Sequence, residues 1–207
     1  MNNFQGKIVL ITGAGKGSGH HLARPFAERG ALIAANDISP INVEQVVKAI
    51  NENGGRAKAY IEDIAKKVGV QNLINQVEDD FGRIDILINH AAVEPKVSVL
   101  DMDEWDWHRV LDVNLTGAFL MTQSAGRLMR AQGGGVIINL ITVNQNPARN
   151  EAAFIASMQG LHAFTQQAAH ELSHYGIHVY AVENTGTTII ERVFGLLDAA
   201  ESRSENP

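Results

Sequence analysis

The segment KIVLITGAGKGSG, residues 7–19, decides the fold. Lys7 to Thr12 is a short apolar, β-branched run of the kind that forms a strand buried on both faces. Ser18 to Arg29 reads as a helix that Gly30 stops. Between them runs the turn Thr12-Gly13-Ala14-Gly15-Lys16-Gly17-Ser18-Gly19. Side chains at those glycines would keep a pyrophosphate away from the backbone amides and the helix N-terminus. Glycine clusters are common in loops. This one follows a strand, opens a helix and precedes an acidic residue, Asp37, by about 20 positions, which is the context of a dinucleotide-binding βαβ unit. Against a triphosphate loop, Gly17 stands after Lys16 where Ser or Thr would be needed, and no glycine stands five before Gly15.

Working outward, a second strand, Ala31 to Asn36, ends at Asp37-Ile38. A carboxylate there can accept both hydroxyls of an adenosine ribose and would repel a 2′-phosphate, which favours NAD over NADP. Lys16 pulls the other way, because a cation in the loop can meet a 2′-phosphate. Helix and strand then alternate: helix Ile41–Asn53, strand Lys58–Ile61, helix Val68–Phe81, strand Ile84–Asn89, a long helical region Met102–Ala131, strand Val136–Leu140, helix Glu151–Tyr175 and strand His178–Val182. About six strands in this order predict an α/β fold, a Rossmann-type doubly wound parallel sheet with helices on both faces. Residues 1–207 are read as one domain with a frayed tail from Glu201 to Pro207. Pro25 lies inside the first helix and should kink it, at a cost of about 3 kcal/mol if uncompensated.

Composition narrows the function classes. A hydrophobic share of 45% and a charged share of 19% are ordinary for a globular chain. A net charge of −6 leaves no basic footprint for nucleic acid or an anionic membrane. No apolar run reaches the ~18 residues of a membrane span, and Ile8 to Ile11 is too short for the core of a signal peptide. The absence of cysteine excludes disulfides, thiolate metal sites and a cysteine nucleophile. It fits a reducing compartment, so the cytoplasm is the expected location.

Further residues agree in order with one family. The spacing Thr-Gly-x3-Gly-x-Gly at 12–19, Asp63-Ile64, Phe81 to Asn89, Asn89-His90-Ala91-Ala92, Val113-Asn114-Leu115-Thr116-Gly117, Val136 to Asn139 and Glu171 to Ile177 together resemble the short-chain dehydrogenase/reductase family. The branch most similar is the 3-oxoacyl-acyl-carrier-protein reductases. The resemblance implies a nicotinamide dinucleotide held by Gly13, Gly15, Lys16, Gly17, Ser18, Gly19, Asp37, Ile38, Asp63, Ile64, Asn89 and Ala91, with Asp63 on the adenine. It also implies catalysis by a tyrosine, a lysine four residues later, a serine and the helix asparagine, Asn114. The serine position falls at Thr142, with Ile141 as its neighbour.

The match breaks at the chemistry. The family's Tyr-x-Ala-Ser-Lys aligns with Phe154-Ile155-Ala156-Ser157-Met158. No other register restores the pair, since Tyr60, Tyr175 and Tyr180 are followed four residues on by Ile64, Val179 and Asn184, and no lysine follows Lys96. Losing a positioned acid/base costs ~10²–10⁴ in rate. The Pro-Gly after strand six is also missing, although Gly186 and Thr187 follow. The chain stops where the family continues with a substrate lid and a seventh strand, so the fold is read as shortened at its C-terminus.

Other features read more simply. His170-Glu171-Leu172-Ser173-His174 matches a zinc-protease pattern, but it fits the helix before strand six, and no metal is expected. His20 and His21 are expected at the surface, and Trp105, Trp107 and Phe119 in the core or a helix interface. Three readings follow. The first is a catalytically impaired, NAD(H)-binding homologue acting as a structural or regulatory subunit, in a homo-oligomer or paired with a related chain. The second is an active NAD(P)-dependent oxidoreductase acting on a small carbonyl or alcohol, with Thr142, Asn114 or water as proton donor. The third is an interaction domain that binds no cofactor.

Overall fold

The computed structural model describes residues 4–142, 149–184 and 189–204, with side chains described to residue 199. Six strands, β1 Ile8–Thr12, β2 Leu32–Asn36, β3 Arg56–Tyr60, β4 Ile86–Asn89, β5 Gly135–Ile141 and β6 Ile177–Glu183, form one sheet in the order β3-β2-β1-β4-β5-β6. Every neighbouring pair is parallel. The helices are α1 Gly17–Glu28, α2 Pro40–Glu52, α3 Lys67–Phe81, α4 Glu104–Leu111, α5 Ala118–Ala131, α6 Ala152–Leu172 and α7 Ile189–Ser204.

The alternation within β1 shows why the sheet needs cover on both sides. Val9 and Ile11 pack with α1, α2 and α7, whereas Ile8 and Leu10 pack with α3, α5 and α6. The chain order reverses direction across the sheet between β1 and β4, and their C-terminal ends flank the crevice in which such folds take ligands.

Three differences from the sequence reading have local causes. The predicted helix Met102–Ala131 begins only at Glu104, where the Asp103 carboxylate caps it by accepting from the Asp106 amide at 2.7 Å. Residues Asp112–Gly117 then widen into a π turn between α4 and α5. The third strand lies at the sheet edge, with Arg56 and Lys58 reaching solvent, so its apolar signal is thin and it begins at Arg56, ahead of the expected Lys58.

Helix α7 is absent from the sequence reading. It buries Ile189, Val193, Phe194 and Leu197, a helical spacing, and it includes residues 201–204 that were assigned to a frayed tail. Phe194 stacks on Phe4 at 5.5 Å and meets the edge of Phe26 at 4.8 Å, so α7 ties the end of the chain to its beginning. Helix α1 continues through Pro25 to Glu28, and the Arg29 guanidinium donates to the Pro25 carbonyl at 2.9 Å. No helix among the described residues is long and apolar enough to cross a membrane.

Candidate cofactor and active site

At the crevice, the Thr12 hydroxyl joins the ends of β1 and β4. Its oxygen accepts from the amides of His90 and Ala91 at 3.1 and 3.2 Å. The glycine turn rises from this point. Gly13 has φ +64, and a Cβ on it would lie 2.7 Å from the Ala91 Cα, so only glycine lets the turn rest on the β4 exit. A Cβ on Gly15 would lie 2.7 Å from both the Asn42 Cβ and the Asp37 carboxylate. A Cβ on Gly19 would strike the Gly13 carbonyl and the His90 ring, each at 2.6 Å. This is a cradle that a larger residue would fill, as a bound pyrophosphate requires.

Asp37 lies where the sequence places it, just beyond β2. One carboxylate oxygen accepts from the Gly15 amide and the other from the Ser39 amide, each at 2.9 Å. These bonds fix the carboxylate at the cleft and leave it acceptor capacity for ribose hydroxyls.

The cleft has a volume of about 260 Å³. Its floor and rim bring together Gly13, Lys16, Asp37, Ile38, Asp63, Ile64 and Ala91 from the predicted set. Ile38, 63% exposed at the rim, and the buried Ile64 offer apolar surface for a flat heterocycle. Asp63 accepts from the Ala65 amide at 3.1 Å and pairs with Lys66 at 3.2 Å.

Other predicted residues do different work. Asn89 is buried with its side chain donating to Asn139 at 2.8 Å, and Asn139 donates on to Thr165 at 2.8 Å. That chain links β4, β5 and α6 beneath the cleft. The Ser18 hydroxyl donates to Asn184, just beyond β6, at 3.0 Å. Gly17 opens α1 with φ +57, within reach of the His90 ring.

The sequence reading did not name His90, Asn42 or Arg109 as site residues, yet all three line the cleft. The signal for His90 was its place in Asn89-His90-Ala91-Ala92, where the resembled family has Asn. Its Nδ1 meets the Gly13 carbonyl at 3.1 Å. Burial pushes its imidazole below the ordinary histidine range, against the pull of its bonds to Gly13 and Thr12 and of the Asp37 charge.

The residues around Asn114 and Phe154 are different in character. Asn114 sits in the π turn, a distortion that often accompanies function. Its side chain is fully engaged: it accepts from the Val93 amide at 2.8 Å and donates to the Val93 carbonyl and the Ser157 hydroxyl, each at 3.0 Å. Ser157 donates in turn to the Phe154 carbonyl at 2.7 Å. Phe154 and Met158 are buried in an apolar cluster with Ala118, Ile141 and Leu161. Thr142 follows β5 and is half-buried. Gly186 and Thr187 lie outside the described residues.

Lys96, in the segment after β4, pairs with Glu94 at 3.6 Å and with the buried Glu151 at 3.5 Å. The charge of Glu94, then the bond and charge of Glu151, hold it above the ordinary lysine range.

Of the aromatic residues expected in the core or at a helix interface, none is in the core, and Phe119 of α5 meets Phe164 of α6. Trp105 is 66% exposed, with the Arg109 guanidinium 5.4 Å from its ring, and Trp107 and Phe119 also reach solvent. The charged surface of α4 explains the exposure of its two tryptophans, since only Val110 of that helix is buried. Phe119 meets Phe164 edge-on at 5.9 Å beside a surface groove of about 290 Å³ between α5 and α6. His20 and His21 lie at the surface with their rings 5.3 Å apart. Among the described residues no three His, Asp or Glu side chains converge as a metal site.

Comparison with known proteins fits this geometry. A family profile described as short chain dehydrogenase matches residues 7–190. An uncharacterized oxidoreductase of Thermotoga maritima is 37% identical over 204 residues, covering 98% of this chain and 80% of the relative. A 3-oxoacyl-[acyl-carrier-protein] reductase of Synechocystis is 36% identical over 186 residues, covering 88% and 74%. Among solved structures, an NAD+-bound xylitol dehydrogenase superposes with a TM-score of 0.84 at 34% identity, covering 88% of this chain and 71% of that one. A metagenomic short-chain oxidoreductase in complex with NADP gives 0.88 at 27% identity, covering 95% and 91%. The chain belongs to the short-chain dehydrogenase family.

Proposed function

We propose that this protein binds a nicotinamide dinucleotide, NAD(H) in preference to NADP(H), and performs little or no hydride transfer. One observation carries the reading. The cleft that would take the adenosine diphosphate half is built from glycines, amides and a fixed carboxylate, whereas the positions of the family's acid and its lysine hold Phe154 and Met158 in an apolar cluster. Phenylalanine has no exchangeable proton and methionine no charge. Neither can hold a nicotinamide ribose or exchange a proton with a carbonyl. When bound, the dinucleotide would supply or accept hydride. The chain's own residues would bind and orient it: the turn amides on the pyrophosphate, Asp37 on the ribose, Asp63 and Ile64 on the adenine. Asp37 supports NAD over NADP, because a 2′-phosphate beside it would meet like charge.

In this reading the protein serves as a structural or regulatory subunit. The groove between α5 and α6, with Phe119, Phe164, Arg127 and Arg130 along it, is the face offered to a second copy or a related chain. A location in the cytoplasm accords with a chain that has no cysteine.

The test is calorimetric titration with NAD+, NADP+ and ADP-ribose, alongside steady-state assay on a panel of ketones and alcohols. NAD+ and ADP-ribose should bind alike, NADP+ more weakly, and no turnover should exceed background. Turnover at ordinary family rates, abolished by Thr142→Ala, would establish an active enzyme with an atypical donor. Silence with all three ligands would leave only an interaction domain.

A further inference from the structure

His90 occupies an unusual place. Its Nδ1 faces the Gly13 carbonyl at 3.1 Å, and a carbonyl can only accept, so Nδ1 carries the hydrogen and Nε2 is left with a lone pair in the neutral ring. Among the described residues no protein group partners Nε2. That nitrogen lies 3.7 Å from the point where a Gly17 side chain would begin, so it looks onto the space the turn keeps clear at the start of α1. The ring also lines the cleft.

We infer that His90 is a phosphate-binding residue whose ring takes up a proton at Nε2 when a dinucleotide binds, so that affinity for the pyrophosphate rises as pH falls. The inference rests on the dinucleotide reading above and adds a group to it. A lone pair aimed at an anionic oxygen repels it, whereas a protonated Nε2 donates a charge-assisted hydrogen bond. The proton is drawn from solvent, and no covalent bond changes.

The other charges around the cleft come from each packed element: Lys16 on the turn, His20 on the exposed side of α1, Asp37 after β2, Glu62 and Asp63 after β3, and Arg109 on α4. His20 is solvent-facing and does not line the cleft. In the free protein the proton affinity of the half-buried ring is lowered, chiefly by its desolvation. A bound diphosphate raises that affinity. Binding is therefore strengthened below the bound-state value and loses this term as pH rises through it.

The experiment is titration calorimetry of the whole chain with NAD+ between pH 5.5 and 8, repeated in buffers of different ionisation heat to count protons. The expected result is uptake approaching one proton per NAD+ and a Kd that falls by up to about tenfold per pH unit within the linked range. Adenosine, which lacks the pyrophosphate, should bind without uptake, and His90→Asn should bind NAD+ more weakly at low pH, with no proton uptake and a flat pH profile. Binding of NAD+ by wild type with no uptake and a flat pH profile overturns the inference and leaves the cofactor reading intact. Uptake that persists in His90→Asn, or that adenosine also induces, overturns it too. Absence of NAD+ binding at every pH overturns both. The wild-type proton count decides the matter even where the variant does not fold.

Discussion

Replacing Gly15 by alanine tests the cradle at its tightest point. The backbone there has no positive φ, so alanine is conformationally acceptable and the whole effect is steric. The new methyl would lie 2.7 Å from the Asn42 Cβ and 2.7 Å from the Asp37 Oδ2. Carbon atoms pack best at about 3.5–4.0 Å, so α2 must retreat by roughly 1 Å or the turn must open. Overpacking of this kind costs about 1–3 kcal/mol. Displacing the carboxylate breaks the 2.9 Å bond from the Gly15 amide, a further loss of about 1.5 kcal/mol. Together these predict roughly 2.5–4.5 kcal/mol, a fall in Tm of roughly 5–18 °C for a chain of this size. Because Asp37 is moved from its place at the ribose, NAD+ affinity should fall about tenfold or more. Thermal unfolding by circular dichroism and calorimetric titration measure the two effects. A Tm within about a degree of wild type together with unchanged NAD+ affinity would refute the idea that this glycine keeps space for Asp37 and a ligand.

Three other outcomes are expected. Asn114→Ala removes the bonds to Val93 and Ser157 and leaves buried polar atoms unpaired, for a loss of about 2–5 kcal/mol in urea unfolding, whatever the state of catalysis. Gly195→Ala adds a methyl that meets nothing within 4 Å inside α7 and should stabilise the fold by about 0.5–1 kcal/mol, read as a higher Tm. The Asp80 carboxylate is held below its ordinary value by its hydrogen bonds from Lys58 and then Tyr60, so it favours folding above its unfolded-state value and loses that contribution as pH falls through its folded-state value; Tyr60→Phe should move its NMR titration upward.

Much of the architecture was legible because each strand in the buried half of the sheet is a short apolar run bounded by glycine or a polar turn. The glycine turn and Asp37 were legible for the same reason: their work is local, set by backbone approach and by the end of a single strand. What the sequence concealed depends on distant partners. Asn89 looked like a cleft residue, but the pairing of β4 with β5 turns its side chain toward Asn139. Trp105 and Trp107 looked like core by residue type, yet α4 buries only Val110. Helix α7 carried a readable helical spacing at Ile189, Val193 and Leu197, but its reason for forming is Phe4 and Phe26, at the other end of the chain.

The two halves of the site are separable for a structural reason. The adenosine end is held by backbone amides and by a carboxylate fixed through the Gly15 and Ser39 amides, so its geometry is set by the ends of β1, β2, β3 and β4 and the starts of α1 and α2, without α6. The reaction end depends on α6, and there the polar groups are already satisfied within the fold: Ser157 bonds the Phe154 carbonyl, Asn114 bonds Val93 and Ser157, and Lys96 bonds Glu94 and Glu151. Substituting tyrosine and lysine by Phe154 and Met158 therefore leaves no buried partner stranded, which would otherwise cost about 1–3 kcal/mol for each group. On the function proposed above, a chain built this way forgoes proton transfer and keeps its fold and its nucleotide cleft. Met158→Lys should then be the costlier half of any reversal. A lysine placed at that buried, apolar position has a depressed proton affinity, so its destabilisation is largest near neutrality and shrinks as pH rises toward the ordinary lysine range. Melting curves of Met158→Lys at pH 7 and pH 9.5 would show the difference. Equal losses at the two pH values would mean that the lysine finds a polar partner and escapes the apolar cluster around Met158.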